Sequence, residues 1–392
     1  MEKFSAIKKL TAYKRQIIRG LMIASFLALY IFAVRKLGNV EKTELVSTKG
    51  RSFEKAVVTE IVKDNLQESG VRSGDQVVKV KMLSGDKKGE IFEATSSEGN
   101  LFGAVCEKGS KVIVIISTAG DNSLVSVYSL DREYVVYAFV GIFLLIMCII
   151  GGKNGIKAVL GLSFTMISIV YMYMPMIYRG FSPFWAAIII VIITTAATMY
   201  LIGGFTKKTV SAILGTILGV LCSGISAYLF GIAAGISGNN VSNIETLLFV
   251  GQNTKIQIGG LLFSGILIAS LGAVMDVAMS VSSTINEIYE KNPTLGRREL
   301  FKSGMNVGKD MMGTMSNTLI LAFTGGSLST LVVNYAYDIP YIQLVNGYSI
   351  GIEIMQGVSG SIGIILTVPF VSMVASSLVC TKFGKKSETI EC

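Results

Sequence analysis

Asp276 stands in GAVMDVAMSVSSTINEIYE, residues 272 to 290, directly after a run of Leu, Ile and Gly able to cross a bilayer. Around it Gly272, Asp276, Ser280, Ser283 and Glu287 advance in steps of four, four, three and four. At about 100° per residue they form one stripe on one helix face. A second stripe runs through SGMNVGKDMMGTMSNTLILAFTGGSLS, residues 303 to 329, where Asp310, Thr314, Asn317 and Leu321 repeat at the same spacing. Gly304, Gly308 and Gly313 on that segment let a neighbouring backbone come close. Carboxylates beside hydroxyls and an amide can bind a proton or Na⁺, which removes the charge that forbids passage through a dry constriction. An ionised carboxylate facing lipid costs at least about 2.5 kcal/mol, so both stripes are expected to face protein or a water-filled cavity.

The same residues admit a plainer reading. Asp276 as a neutral, hydrogen-bonded side chain or the partner of Lys309, and Asp310 and Glu287 as solvated residues at helix ends, would serve structure alone. Glycine and serine are ordinary packing residues in membranes. GVSGSIGIILTVPF, residues 357 to 370, adds closely spaced glycines and Pro369 inside an apolar span, the mark of a kinked helix or of a packing groove.

Other chemistry is poorly supplied. The chain has no histidine, so proton transfer falls to carboxylates, Lys or Tyr. Its five cysteines, at 106, 148, 222, 380 and 392, form no Cys-x-x-Cys pair, and a metal site is not expected. GGFTKK at 203 to 208 and GGKNGIK at 151 to 157 lack the P-loop pattern and read as basic turns. With no nucleophile arrangement either, a non-enzymatic protein without an organic cofactor is expected, H⁺ or Na⁺ being the only coupling species its chemistry suggests.

The elements that would position these residues are membrane helices. Of 392 residues 51% are hydrophobic and 16% charged, a balance suited to lipid as solvent. Eight spans can be drawn, at 17 to 34, 134 to 150, 156 to 174, 184 to 202, 209 to 230, 258 to 280, 317 to 335 and 360 to 380. Six basic residues stand before or at the start of the first span, and the short segments on that side hold twelve more. The short loops opposite hold Arg179 and Lys255 alone. The positive-inside rule then places both termini in the cytoplasm of a multi-pass cell-membrane protein. The net charge of +9 is juxtamembrane and does not point to nucleic acid.

Residues 1 to 34 read as a basic tail and uncleaved anchor, and 134 to 392 as a seven-helix transmembrane domain. Between them, 35 to 133 hold fifteen basic and fifteen acidic residues, a balance suited to solvent. Five alternating segments there, KAVVTEIV, DQVVKVKML, KGEIFEATS, KVIVIIST and SLVSVYSL, predict a small extracytoplasmic β-barrel, with the OB type a candidate. The fold class expected is a polytopic α-helical membrane protein of about eight transmembrane helices with that barrel after the first.

GAVMDVAMSVSSTINEI at 272 to 288, SGMNVGKDMMGTMSNTLILAF at 303 to 323 and GSIGIILTVPF at 360 to 370 carry a resemblance to the YibE/F-like membrane proteins. The order of these motifs and the soluble segment after the first span are similar too. The resemblance implies a membrane location, a multi-helix core and a second, related membrane protein as partner. Asp276, Glu287, Asp310 and Asn317 occupy its polar positions, and no activity comes with it. Two functions therefore stand side by side. One is an ion-coupled transporter or exporter of a small polar solute. The other is a scaffold or receptor-like subunit, alone or as a homo-oligomer, whose outer domain binds an envelope component.

Overall fold

A computed structural model describes residues 25, 28–47, 49–67, 72–97, 103–119, 122–241 and 243–380. The basic tail, most of the span expected at 17 to 34, and residues 381 to 392 lie outside the described residues. The chain divides into two compact units: Glu44–Ile150, and the described residues up to Thr43 together with those from Gly151 onward.

The first unit contains β1 (Arg51–Lys63), β2 (Gln76–Met82), β3 (Ile91–Ser96), β4 (Lys111–Ala119) and β5 (Asn122–Leu130), closed into a barrel in the order β1-β2-β3-β5-β4. The barrel expected from alternation is present. Alternate residues such as Val78, Val80 and Met82 of β2 and Val112, Val114 and Ile116 of β4 fill its core, because successive side chains of a strand point to opposite faces. One end is held by polar groups. Buried Gln76 donates to the Cys106 carbonyl at 3.0 Å and accepts from its N–H at 2.8 Å, and Ser96 makes a similar pair with Ala104. This polar clamp fixes residues 103 to 106 against the barrel, and burial pushes the Cys106 thiol pKa up.

The helices are α1 (28–38), α2 (Glu133–Ser168), a π-helical turn Ile169–Tyr173, α3 (Met174–Tyr178), α4 (Pro183–Gly203), α5 (Lys207–Ala234), α6 (Ile244–Asn253), α7 (Leu261–Lys291), α8 (Arg297–Gly326), α9 (Leu328–Ala336), α10 (Tyr341–Val345) and α11 (Tyr348–Cys380). Among the described residues, five helical elements are long and apolar enough to cross a membrane, or six if the bent pair α8 and α9 is one span. This count leaves out the span expected at 17 to 34, most of which lies outside the described residues, and takes the spans expected at 134 to 150 and 156 to 174 as one element. The spans expected at 134 to 150 and 156 to 174 are two helices that meet in a kink at Gly152, whose φ of 52° and ψ of −131° are not helical. The span expected at 317 to 335 begins 20 residues earlier, at Arg297, and breaks at Ser327, with α9 turned by 60°.

Within the second unit α11 packs on α5, α7 and α8, and α4 packs on α5 and α7. Close backbone approach makes this possible. A Cβ on Gly219 of α5 would overlap Thr367 Oγ1 and lie 3.0 Å from both the Gly363 carbonyl of α11 and Val274 Cγ1 of α7. Helix α11 continues through Pro369 without a break. Helix α1 packs beside α2 through Tyr30, whose ring lies 4.4 Å from that of Phe164 and whose hydroxyl pairs with Ser168 at 3.0 Å. Its C-terminal end meets Arg179, which donates to the carbonyls of Lys36, Leu37 and Asn39 at 2.7 to 3.1 Å. A guanidinium there satisfies carbonyls that the helix leaves unpaired and suits the negative end of its dipole.

Candidate functional site

Helix α7 directs Leu267, Val274, Val277, Ala278, Val281 and Ile285 into the core. These apolar positions recur at helical spacing and outnumber any other face, so they take the buried side. Asp276 lies about 200° around the helix from Val274. Gly272, Asp276 and Glu287 are consequently exposed within this chain, and Ser280 and Ser283 are half-buried. Glu287 forms an exposed ion pair with Lys291 at 3.1 Å, one helical turn on. Among the described residues no hydrogen bond or ion pair reaches the Asp276 carboxylate, from Lys309 or any other group.

Helix α8 repeats the arrangement. Glu299 reaches back to the Gly296 N–H at 3.0 Å and starts the helix. Gly304 and Gly308 are then buried against neighbours. A Cβ on Gly304 would come within 2.6 Å of Ile285 Cδ1 and 2.7 Å of Ser372 Oγ, and one on Gly308 would overlap Val368. With that side committed to α7 and α11, Asp310, Thr314, Asn317 and Leu321 are left exposed. The Thr314 hydroxyl donates to the Asp310 backbone carbonyl at 2.9 Å and Thr318 to that of Thr314, also at 2.9 Å. These hydroxyls cover the helix's own backbone, and the Asp310 carboxylate makes no hydrogen bond or ion pair among the described residues.

The two stripes thus lie on the outward sides of neighbouring helices, not against each other across a protein interior. Nothing within 4 Å would meet a Cβ on Gly272 or Gly313. Neither is a packing glycine within the single chain, whereas Gly304 and Gly308 are. Pro369 sits in a continuous helix rather than at a hinge break.

Sequence reasoning weighted carboxylates and passed over the core hydroxyls. Ser282 is buried and donates to the Lys208 carbonyl at 2.7 Å, tying α7 to the start of α5. Tyr173 and Ser264 pair at 2.6 Å. Thr195, Thr198, Thr216, Ser223, Ser316 and Ser372 have inward hydroxyls without a partner among the described residues. Thr194, Thr195 and Thr198 stand close together in sequence on one apolar span, and that spacing was the available signal. Among the described residues no cluster of Cys, Asp and Glu could hold a metal ion.

With the geometry of the helices in place, comparison with known families decides the classification. The model of the YibE/F-like protein family matches residues 139–381. The chain belongs to the YibE/F-like family. The matched segment covers more than half of the 392 residues and contains α7, α8 and α11 entire, while the barrel lies outside it. No curated protein and no solved structure matches the chain. Membership and the apolar helices are compatible with a membrane protein, and every residue of the two stripes falls in the family segment.

Proposed function

We propose that this protein is an ion-coupled transporter or exporter of a small polar solute. The observation that carries this reading is the outward polar side of α8, where Asp310, Thr314, Asn317 and Thr318 are all exposed. In hydrocarbon, Asp alone costs about 2.5–3.5 kcal/mol on insertion scales. Such a side must meet water or another polar protein surface, and with Asp276 on α7 it supplies two titratable oxygen ligands for H⁺ or Na⁺. Ser280, Ser283 and Glu287 extend the same polar surface toward the end of α7. A second copy or a related membrane protein would complete the path, in a multi-pass cell-membrane protein with both termini cytoplasmic. No catalytic residue and no organic cofactor are assigned.

A second reading rests on the barrel. Its strand order fits the OB type, and Phe53 and Tyr128 form an exposed edge-to-face pair with ring centroids 5.5 Å apart. An aromatic patch on a small extracytoplasmic barrel suits a receptor-like subunit that binds an envelope component.

The test is flux in proteoliposomes under an imposed H⁺ or Na⁺ gradient with a panel of small polar solutes. Asp276→Asn and Asp310→Asn keep shape while removing titration, and each is expected to abolish gradient-driven flux with the protein still folded. Full cellular function in both variants would overturn ion coupling. Loss of function only when residues 45 to 130 are deleted would favour the receptor reading.

A further inference from the structure

We infer that residues 328–348, comprising α9, α10 and their flanking turns, form an interfacial element that lies in the headgroup region of the bilayer where α8 ends and α11 begins. Helix α8 has 30 residues and α11 has 33, so at about 1.5 Å per residue each exceeds the roughly 30 Å hydrocarbon core without help. By length alone α8 could cross before the 60° turn at Ser327, whereas by apolar composition it qualifies as a span only when α9 is counted with it, so what places α9 is its own exposure and composition. Neither α9 nor α10 buries a single residue in the chain.

The composition suits a boundary between water and hydrocarbon. Tyr335, Tyr337, Tyr341 and Tyr348 are all exposed, Tyr335 at 89%. Leu328, Val332, Val333, Ile342 and Val345 are exposed beside them. The one charged residue in 328–348 is Asp338, at the turn between the two short helices. Tyrosine has an apolar ring and a polar tip, and it concentrates at membrane–water interfaces for that reason. Bulk water would leave the apolar side chains unburied, and the chain centre of the bilayer would leave four phenol hydroxyls and a carboxylate without partners. The lipid headgroup boundary satisfies both. A cleft of about 490 Å³ between α9 and α10, lined by Leu331, Tyr335, Asp338, Ile339 and Leu344 among others, offers a concave apolar surface with one acidic rim for part of a lipid. This inference does not depend on transport.

The experiment uses the full-length protein in lipid vesicles. The sole tryptophan is removed as Trp185→Phe, and Tyr335→Trp or Tyr341→Trp is added one at a time, each variant being checked for helicity and monodispersity. Emission is recorded with lipids brominated near the headgroup end of the acyl chain, with lipids brominated near its terminus, and with aqueous iodide. The expected result is blue-shifted emission quenched more strongly by the shallow bromines than by the deep ones. Stronger quenching by deep bromines would overturn the inference in favour of a single broken span. Quenching by iodide alone would place the segment in water. Insensitivity to all three would show that a second protein surface covers it, and this too would overturn the assignment.

Discussion

Replacing Gly219 by alanine tests whether α5, α7 and α11 are held together by backbone proximity. The new Cβ would lie 3.0 Å from the Gly363 carbonyl and from Val274 Cγ1, and it would overlap Thr367 Oγ1. Rotating Thr367 relieves only the last of these, and its hydroxyl is already committed to the Gly363 carbonyl at 2.7 Å. A backbone oxygen has no rotamer to move, so helices must separate. Overpacking of this kind costs about 1–3 kcal/mol, set against a gain of up to about 1 kcal/mol from replacing glycine inside a helix. Gly265→Ala is the matched control, because nothing lies within 4 Å of its added methyl. The chemical change is the same in both, so the propensity gain cancels in the comparison. Unfolding by a denaturing detergent should show Gly219→Ala less stable than Gly265→Ala by about 1–3 kcal/mol. Equal stabilities would refute the claim that glycine is required at this crossing.

Gln76→Ala removes both hydrogen bonds to the Cys106 backbone and leaves a buried donor and acceptor unpaired, at about 1–3 kcal/mol. With the other four cysteines replaced, Cys106 should then react faster with a thiol reagent than in the same chain with Gln76. Arg72 donates to Asp64 at 2.6 Å and holds its carboxyl below the ordinary value of 3.8, with help from the Asn65 N–H and from Gln76. The folded pKa is the lower one, so the resulting stability is present above the unfolded value and is lost as pH falls through the folded value. Titration followed by NMR should give a midpoint that rises toward 3.8 in Arg72→Met. Arg179→Met removes three bonds to carbonyls at the end of α1. Because these bonds are exposed, the expected loss is no more than about 1 kcal/mol, seen as faster amide exchange in residues 28–38 with the rest of the chain unchanged.

Much of the architecture was legible in sequence because lipid and water impose coarse patterns. Val78, Val80 and Met82 announce a strand with one buried face, since the period of two is a local property of the backbone. Long apolar runs announce membrane helices, since backbone polar groups in hydrocarbon must be satisfied internally. Helix ends were less legible. Helical spacing already links Asp310 to Thr314 and Asn317, but the apolar run puts the start of the span at 317; the structure starts the helix at Arg297, and two glycines dock its polar first half on α7 and α11. The glycines at 151 and 152 mark a break between two apolar runs, and the structure kinks there, with Gly152 at a φ of 52°.

The candidate site divides along the same line. Spacing alone determined that Gly272, Asp276, Ser280, Ser283 and Glu287 share one side of a helix, and that Asp310, Thr314 and Asn317 share another, because helical periodicity depends only on residue number. Which way those sides turn was decided by tertiary packing. The Val274 side of α7 and the Gly304–Gly308 side of α8 make the closest fit to α5 and α11, and the carboxylates were carried outward as a consequence. The buried hydroxyls Thr195, Ser223 and Ser372 came into view at the same step. A serine or threonine looks alike in sequence whether it faces lipid, a neighbouring helix or the middle of the bundle, and only the packing of α4, α5, α7, α8 and α11 distinguishes them.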